Sequence, residues 1–347
     1  MDSCIAPDGR TPAGLAYLKR LGVDASTSVK RVVATHWHQD HVRGLAQTVS
    51  ACSSAKFICS QALWSKEFVT LTDLWKKTGL PSSPVNELSQ VIETLARSAE
   101  ALKGGEGEYP FGFAAHNQCL WRRRAVSDTS HDTSAELHSL SPSDAAIKKS
   151  LEMIASLFPA GEILTRPIPQ RPNLFSVVLW LRVGDIRMLL GADMEQKGNP
   201  FGGWKLIVES SERPDGKASL FKIPHHGSET GEYGAVWTEM LISEPVAMLA
   251  PFNLGRVKLP TEKDAQRILG RTKCSFITAD FNDRSSRGRT GIVNRMIHRT
   301  VRYIKNVNAS FGQVRARKKI IPASGNWMVD VFGDAKPLGN LFAGKRA

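Results

Sequence analysis

Thr35-His36-Trp37-His38-Gln39-Asp40-His41 (THWHQDH) places three histidines and an aspartate within six residues. Upstream, Val29 to Ala34 is rich in β-branched residues and follows a turn-like Asp24-Ala25-Ser26, which predicts a strand. Downstream, Val42 to Ala46 opens a helix-like run. The cluster therefore falls on a strand-to-helix turn, where α/β folds place their ligands. In a locally extended turn His36 and His38 point the same way, and Asp40 and His41 point elsewhere. One loop can then serve two metal ions, imidazoles on one and a carboxylate with an imidazole on the other.

Such a site needs an anion to hold two cations close together. Asn173 to Leu190 reads as two strands joined at Val183-Gly184-Asp185, a hairpin that delivers Asp193 just past its second strand. Asp193 is well placed to be that anion. Leu220 to Ile223 is a further short strand, ending in Pro224-His225-His226-Gly227-Ser228. His226 is the natural extra imidazole. His225 beside it could hydrogen-bond a phosphate or protonate a leaving oxygen. It could equally support the neighbouring ligand.

The HxHxDH spacing of THWHQDH is the signature of the metallo-β-lactamase superfamily. The ordered series THWHQDH, NLFSVVL, LLGADME, KIPHHGSE, PVAMLAP and CSFITAD resembles the hydrolase domain of ComEC-type competence proteins, over roughly residues 29–60 and 135–335. The resemblance implies an α/β fold of the αββα sandwich type (the metallo-β-lactamase fold) and two divalent ions, zinc or manganese. It also implies hydrolysis of phosphodiesters, DNA first. Carried over by position, His36 and His38 would hold one ion, Asp40, His41 and His226 the other, and Asp193 would bridge. Asp40 and His225 would be the residues closest to the chemistry. Many superfamily members add a third histidine to the first ion. Here His116 is the best candidate, with His131 and His138 behind it. ComEC-type domains often lack that histidine. Their late His-Pro is replaced here by Leu259-Pro260-Thr261.

The remaining chain reads as one large domain over residues 1–335 with a tail from 336 to 347. Residues 1–5 resemble the end of a strand, and Thr11 to Arg20 a helix with Pro12 in its first turn. Two or more strands normally precede the HxHxDH turn in the superfamily, so the first strands are expected to be missing, either because the start codon is assigned too late, the favoured reading, or because the fold is trimmed, which would leave a sheet edge open. Phe57 to Cys59 is a strand candidate. Gln61 to Lys77 and Val85 to Leu102 form an expected helical insert, about 61–115, broken by the flexible 103–108 stretch. Cys119–Val126 and Ala135–Leu140 are expected strands, and Ser141 to Asp144 caps a helix running to Leu157. Glu232–Ile242 and Thr261–Leu269 are expected helices, and Val246–Ala250 and Ser275–Ala279 strands. Gln313–Ile321 and Trp327–Phe332 are expected to close the sheet.

At 347 residues and 41% hydrophobic, the chain has the composition of a globular protein, and no 18-residue apolar run predicts a membrane span. No secretion signal is visible, and the five scattered cysteines read as reduced, mostly buried thiols of a cytoplasmic protein. The net charge of +13 is concentrated: Arg284 to Lys319 holds eleven Lys or Arg and no acid. Such a segment suits a polyanion, with nucleic acid ahead of an acidic membrane. Thr290 to Val307 is helix-like, with Arg295, Arg299 and Arg302 on one face. Arg315 and Arg317 follow as further nucleic-acid contacts. Three function classes remain: a nuclease or phosphodiesterase, a small-molecule ester or phosphoester hydrolase of the same fold, and a catalytic subunit of a larger assembly such as a defence system. In the last, the open N-terminal edge and the helical insert would dock a partner protein.

Overall fold

The computed structural model describes residues 1–64, 70, 84–101, 109–125, 132–156, 172–201, 203–254, 256–280, 311–320 and 325–342. Its strands form a mixed α/β architecture. A three-stranded parallel sheet contains β1 (Arg31–Val33), β2 (Lys56–Ser60) and β3 (Phe111–Ala114), in that order. The large sheet takes β4 (Gln118–Arg123), β5 (Ala135–Ser139), β6 (Leu179–Val183), β7 (Ile186–Leu190), β8 (Ala218–Lys222) and β9 (Leu241–Leu249) side by side in chain order. β10 (Phe252–Leu254) and β11 (Val257–Leu259) form a separate hairpin. β12 (Ser275–Ile277) then joins β9, making eight strands with the short β15 (Lys336–Pro337) at the edge. β4 to β7 pair antiparallel, whereas β7, β8, β9 and β12 run parallel.

Strand alternation explains the layering, because successive side chains leave a strand on opposite faces. Val33 and Ile58 pack with Ala114, Leu120, Val177 and Leu179, joining the small sheet to the large one. Their neighbours Val32, Phe57 and Cys59 face the other way, onto helices. Those helices are α4 (Leu45–Ala51), α5 (Pro84–Ala101) and α6 (Asp144–Ala155). They follow three short ones, α1 (Ala13–Arg20), α2 (Ala25–Ser28) and α3 (Gln39–Val42). On the large sheet, Val178, Trp180 and Leu189 face away from the small sheet, toward Trp204 and Ile207 of α7 (Gly203–Glu209) and Ala265 and Ile268 of α8 (Glu262–Leu269). Each fully buried aliphatic or aromatic side chain contributes about 1.5–3 kcal/mol. The large mixed sheet is thus flanked by helices.

Several expectations are corrected. Residues 1–5 form no strand. Ile5 makes a single bridge to Pro12, and the Asp2 amide donates to the Val33 carbonyl at 2.7 Å. The Glu232–Ile242 helix shrinks to a π-helical turn at Val236–Met240, and β9 begins already at Leu241. β13 (Gly312–Arg317) and β14 (Met328–Gly333) do not close the large sheet. They pair with each other, and β15 takes the edge position. Of the expected tail, residues 336–342 belong to the fold, with Leu338 and Leu341 buried in the core, and residues 343–347 lie outside the described residues. The expected all-helical insert ends in strand β3, and residues 65–69, 71–83 and 102–108 lie outside the described residues. Only Cys52 and Cys59 are buried, while Cys4, Cys119 and Cys274 are exposed.

Gly44 ends the first helical turn of the histidine loop with φ of +80°, a conformation that L side chains pay for sterically. A Cβ there would also meet Ile5 Cδ1 at 2.6 Å. Gly44→Ala should therefore lose about 1–2 kcal/mol. Urea unfolding checks this, and an unchanged midpoint would contradict it.

Candidate metal centre

His36 and His38 sit in the loop after β1, and Asp40 and His41 open α3, so one strand-to-helix turn presents all four. Asp193 enters from the end of β7 and His226 from the turn after β8. These two strands are adjacent and parallel, and Leu190 is registered on Lys222, so both chain ends emerge side by side. Trp204, fully buried, donates its indole N–H to the Met194 carbonyl at 3.1 Å and fixes the chain just past Asp193.

The six side chains singled out from sequence meet here, though not equally. Asp193, 1% exposed, is at the centre. Its Oδ1 lies 3.3 Å from His41 Nε2, and its Oδ2 lies 3.3 Å from His226 Nε2 and 4.0 Å from His36 Nε2. Asp40 Oδ2 is 3.2 Å from His226 Nε2 and 3.5 Å from His41 Nε2. Two sets of three ligand atoms lie within 4.8 Å of one another: His36, His41 and Asp193, and Asp40, His41 and His226. His38 belongs to neither set, although its Nδ1 is 3.1 Å from His36 Nε2.

The tautomers follow from the partners. The Ala250 carbonyl can only accept, so His226 donates its Nδ1–H to it at 3.1 Å. The Asp2 carboxylate likewise accepts from His41 Nδ1 at 2.8 Å. Thr35 Oγ1 donates to Asp2, so it accepts from His36 Nδ1 at 3.0 Å. All three imidazoles are anchored through Nδ1, with their Nε2 atoms turned inward toward a buried carboxylate. Outer partners of this kind orient metal-ligating histidines and set their tautomer. The His36, His41, Asp193 and His226 cluster can therefore bind a metal ion.

Electrostatics agree. Burial holds the His36 imidazole well below its usual range, keeping it neutral, the form a metal ligand needs. Burial would lower His41 too, but the Asp193 and Asp2 charges outweigh it and push the group up to about 10. Burial would raise Asp193, yet the His41 and Lys222 charges hold it well below the usual carboxylate range.

Sequence reasoning missed Asp2, which also accepts the Thr35 amide at 2.7 Å, and Lys222, 3.5 Å from Asp193. Asp2 carried no motif signal, and its link to position 41 exists only after folding. His225 stands outside the inward cluster. Its Nδ1 meets Thr230 Oγ1 at 2.7 Å and Glu195 Oε1 at 3.1 Å, and its Nε2 accepts from Asn173 at 3.2 Å. His116 contacts Asn117, and His138 pairs with Glu136 at 3.3 Å; neither belongs to a ligand set. His131, Arg295, Arg299 and Arg302 lie outside the described residues. Arg315 and Arg317 are each 3.1 Å from Asp330. No protein-family model matches the chain, and no curated protein matches it significantly.

Two predictions follow from this geometry. Asp2→Asn, which removes the charge behind His41, should weaken zinc binding roughly 10–100-fold with the fold intact; equal affinity by calorimetry would contradict the role given to Asp2. Second, without metal the His41 proton persists to about 10 against an ordinary 6.5. Its stabilising charge is fully present below the ordinary value and is lost as pH rises through about 10. An incoming metal must displace that proton, so affinity should rise with pH across the neutral range and binding should release protons. Titrations in buffers of different ionisation enthalpy read that release directly.

Proposed function

We propose that the chain is a metal-dependent hydrolase of the metallo-β-lactamase superfamily, with the αββα arrangement of that fold, acting on phosphodiesters in nucleic acid. One observation carries this reading. A turn of HxHxDH spacing converges with a strand-end aspartate and a late histidine, each inward imidazole locked through its Nδ1. The three apolar layers, helices on small sheet, small sheet on large sheet, and large sheet on helices, support the fold assignment.

Imidazole and carboxylate donors suit zinc or manganese. Such an ion supplies Lewis acidity and lowers the pKa of water from ~15.7 toward 7. The protein's own groups do the rest. His36, His41, Asp193 and His226, with Asp40 beside them, would hold the ion, and Asp2, Thr35 and the Ala250 carbonyl keep the rings in orientation. His225, tied by Asn173, Thr230 and Glu195, holds the His226 turn in place rather than exchanging a proton. The phosphate preference rests on the ComEC-type resemblance and on the basic segment from Arg284 to Lys319.

Purified protein should cleave a small chromogenic phosphodiester and DNA, and a chelator should stop both. His41→Ala should remove both activities while sparing much of the DNA binding. Neutralising Arg295, Arg299 and Arg302 together should leave the small substrate nearly unaffected. It should also flatten the slope of log affinity for DNA against log salt by roughly one per lost phosphate contact. A triple variant that binds and cuts DNA like the parent would remove the basic segment from the substrate track and favour a small substrate.

A further inference from the structure

Lys222 is the last residue of β8, and its side chain reaches the centre rather than the outer surface. Its Nζ donates to the Ala192 carbonyl at 2.5 Å and lies 3.5 Å from Asp193 Oδ1. Three quarters of the side chain is buried, with 25% exposed. The rest of the centre consists of carboxylates and imidazoles, and this ammonium adds a lysine's positive charge to it.

The ligand count points the same way. Both candidate sets require His41 Nε2, and one imidazole nitrogen carries one lone pair. Two ions cannot fill both sets at once. His38 would relieve the conflict by completing a separate set with His36, but it stands in neither. Asp193 is equally committed: Oδ1 faces His41 and Lys222, while Oδ2 faces His226 and, more distantly, His36. A second divalent ion on the Oδ1 side would sit against the Lys222 ammonium, and like charges a few ångströms apart in a buried site repel strongly.

We propose that Lys222 supplies the second positive charge of this centre, so that one tightly held divalent ion and one ammonium, rather than two ions, neutralise Asp193 and face the substrate anion. This rests on the metal-hydrolase reading. Of the three ammonium donors, one is spent on Ala192 and one is directed at Asp193. The third is left for an anionic oxygen of the substrate. The ammonium also ties down the turn through which Asp193 leaves β7, which makes Lys222 a positioning residue for the carboxylate.

The test is ion stoichiometry. Chelator-stripped wild type, Lys222→Arg and Lys222→Met are titrated with zinc and, separately, manganese by calorimetry, and bound metal is measured after dialysis. Wild type should hold one tight ion per chain, with any second at least about tenfold weaker. Lys222→Arg should keep that pattern. Lys222→Met should bind a second ion about tenfold or more tighter than wild type does. Wild type holding two ions of equal affinity would overturn the role of Lys222 and leave the metal reading standing; a folded Lys222→Met with wild-type stoichiometry would do the same. Wild type binding no ion would sink the metal reading itself. If Lys222→Met does not fold, Lys222→Gln, which removes the charge but keeps a donor for the Ala192 carbonyl, takes its place with the same expected and overturning results.

Discussion

A carboxylate buried to 1% exposure cannot remain charged in a protein interior without close partners, and Asp193 is that carboxylate. Everything around it answers this constraint. His41 and His226 approach its two oxygens from different segments, and Lys222 closes the side left by the strand ends. Asp2 in turn fixes His41 from behind. A divalent cation would add to the neutralisation that these groups begin, so the capacity to bind metal is here a property of the core and not of a surface loop.

The backbone bears the cost of this convergence. Among the described residues six non-glycines have positive φ, and four of them, Asp2, Ala192, His225 and His226, line or touch the centre. Each such conformation costs on the order of 1–3 kcal/mol, and strain of this kind gathers at functional sites. Ala192 turns the chain so that Asp193 leaves β7 toward the histidines, and the adjacent Gly191 allows the end of β8 to approach. A Cβ at Gly191 would lie 2.8 Å from the Lys222 carbonyl oxygen. The His225–His226 turn aims one ring inward and the other into the Asn173, Glu195 and Thr230 network. Those hydrogen bonds hold a conformation that the isolated peptide would leave.

Much of this was legible from residue order. HxHxDH on a strand-to-helix turn, Asp193 at a strand end and His226 after the next strand correspond to the observed elements, and so does the expected 173–190 hairpin from Leu179 onward, Pro172–Phe175 forming a helical turn instead, because local periodicity and turn chemistry decide them. What escaped prediction depends on contacts distant in sequence. Nothing in MDSCI says that Asp2 reaches Thr35 and His41, and nothing in LFKIP says that Lys222 points at Asp193. Glu232 to Ile242 looked helical from its composition, but pairing with β8 and β12 draws Leu241 and the residues after it into a strand. The β13–β14 pair has the alternation of sheet strands, yet alternation does not say which strands become neighbours. His116 and His138, suggested as ligands by residue type alone, contact Asn117 and Glu136 and enter neither ligand set among the described residues.

The Asp2 contacts bear on how the molecule acquires its centre. The participating residues run from position 2 through positions 35–41 to 193, 222 and 226, so the contacts that join these segments each close a loop of tens of residues or more. Non-local contacts of this kind form late, after the entropy of loop closure has been overcome by the bulk of the core. No fragment of the chain carries the centre, and a cation that binds only the completed arrangement draws the whole folding equilibrium toward the native state.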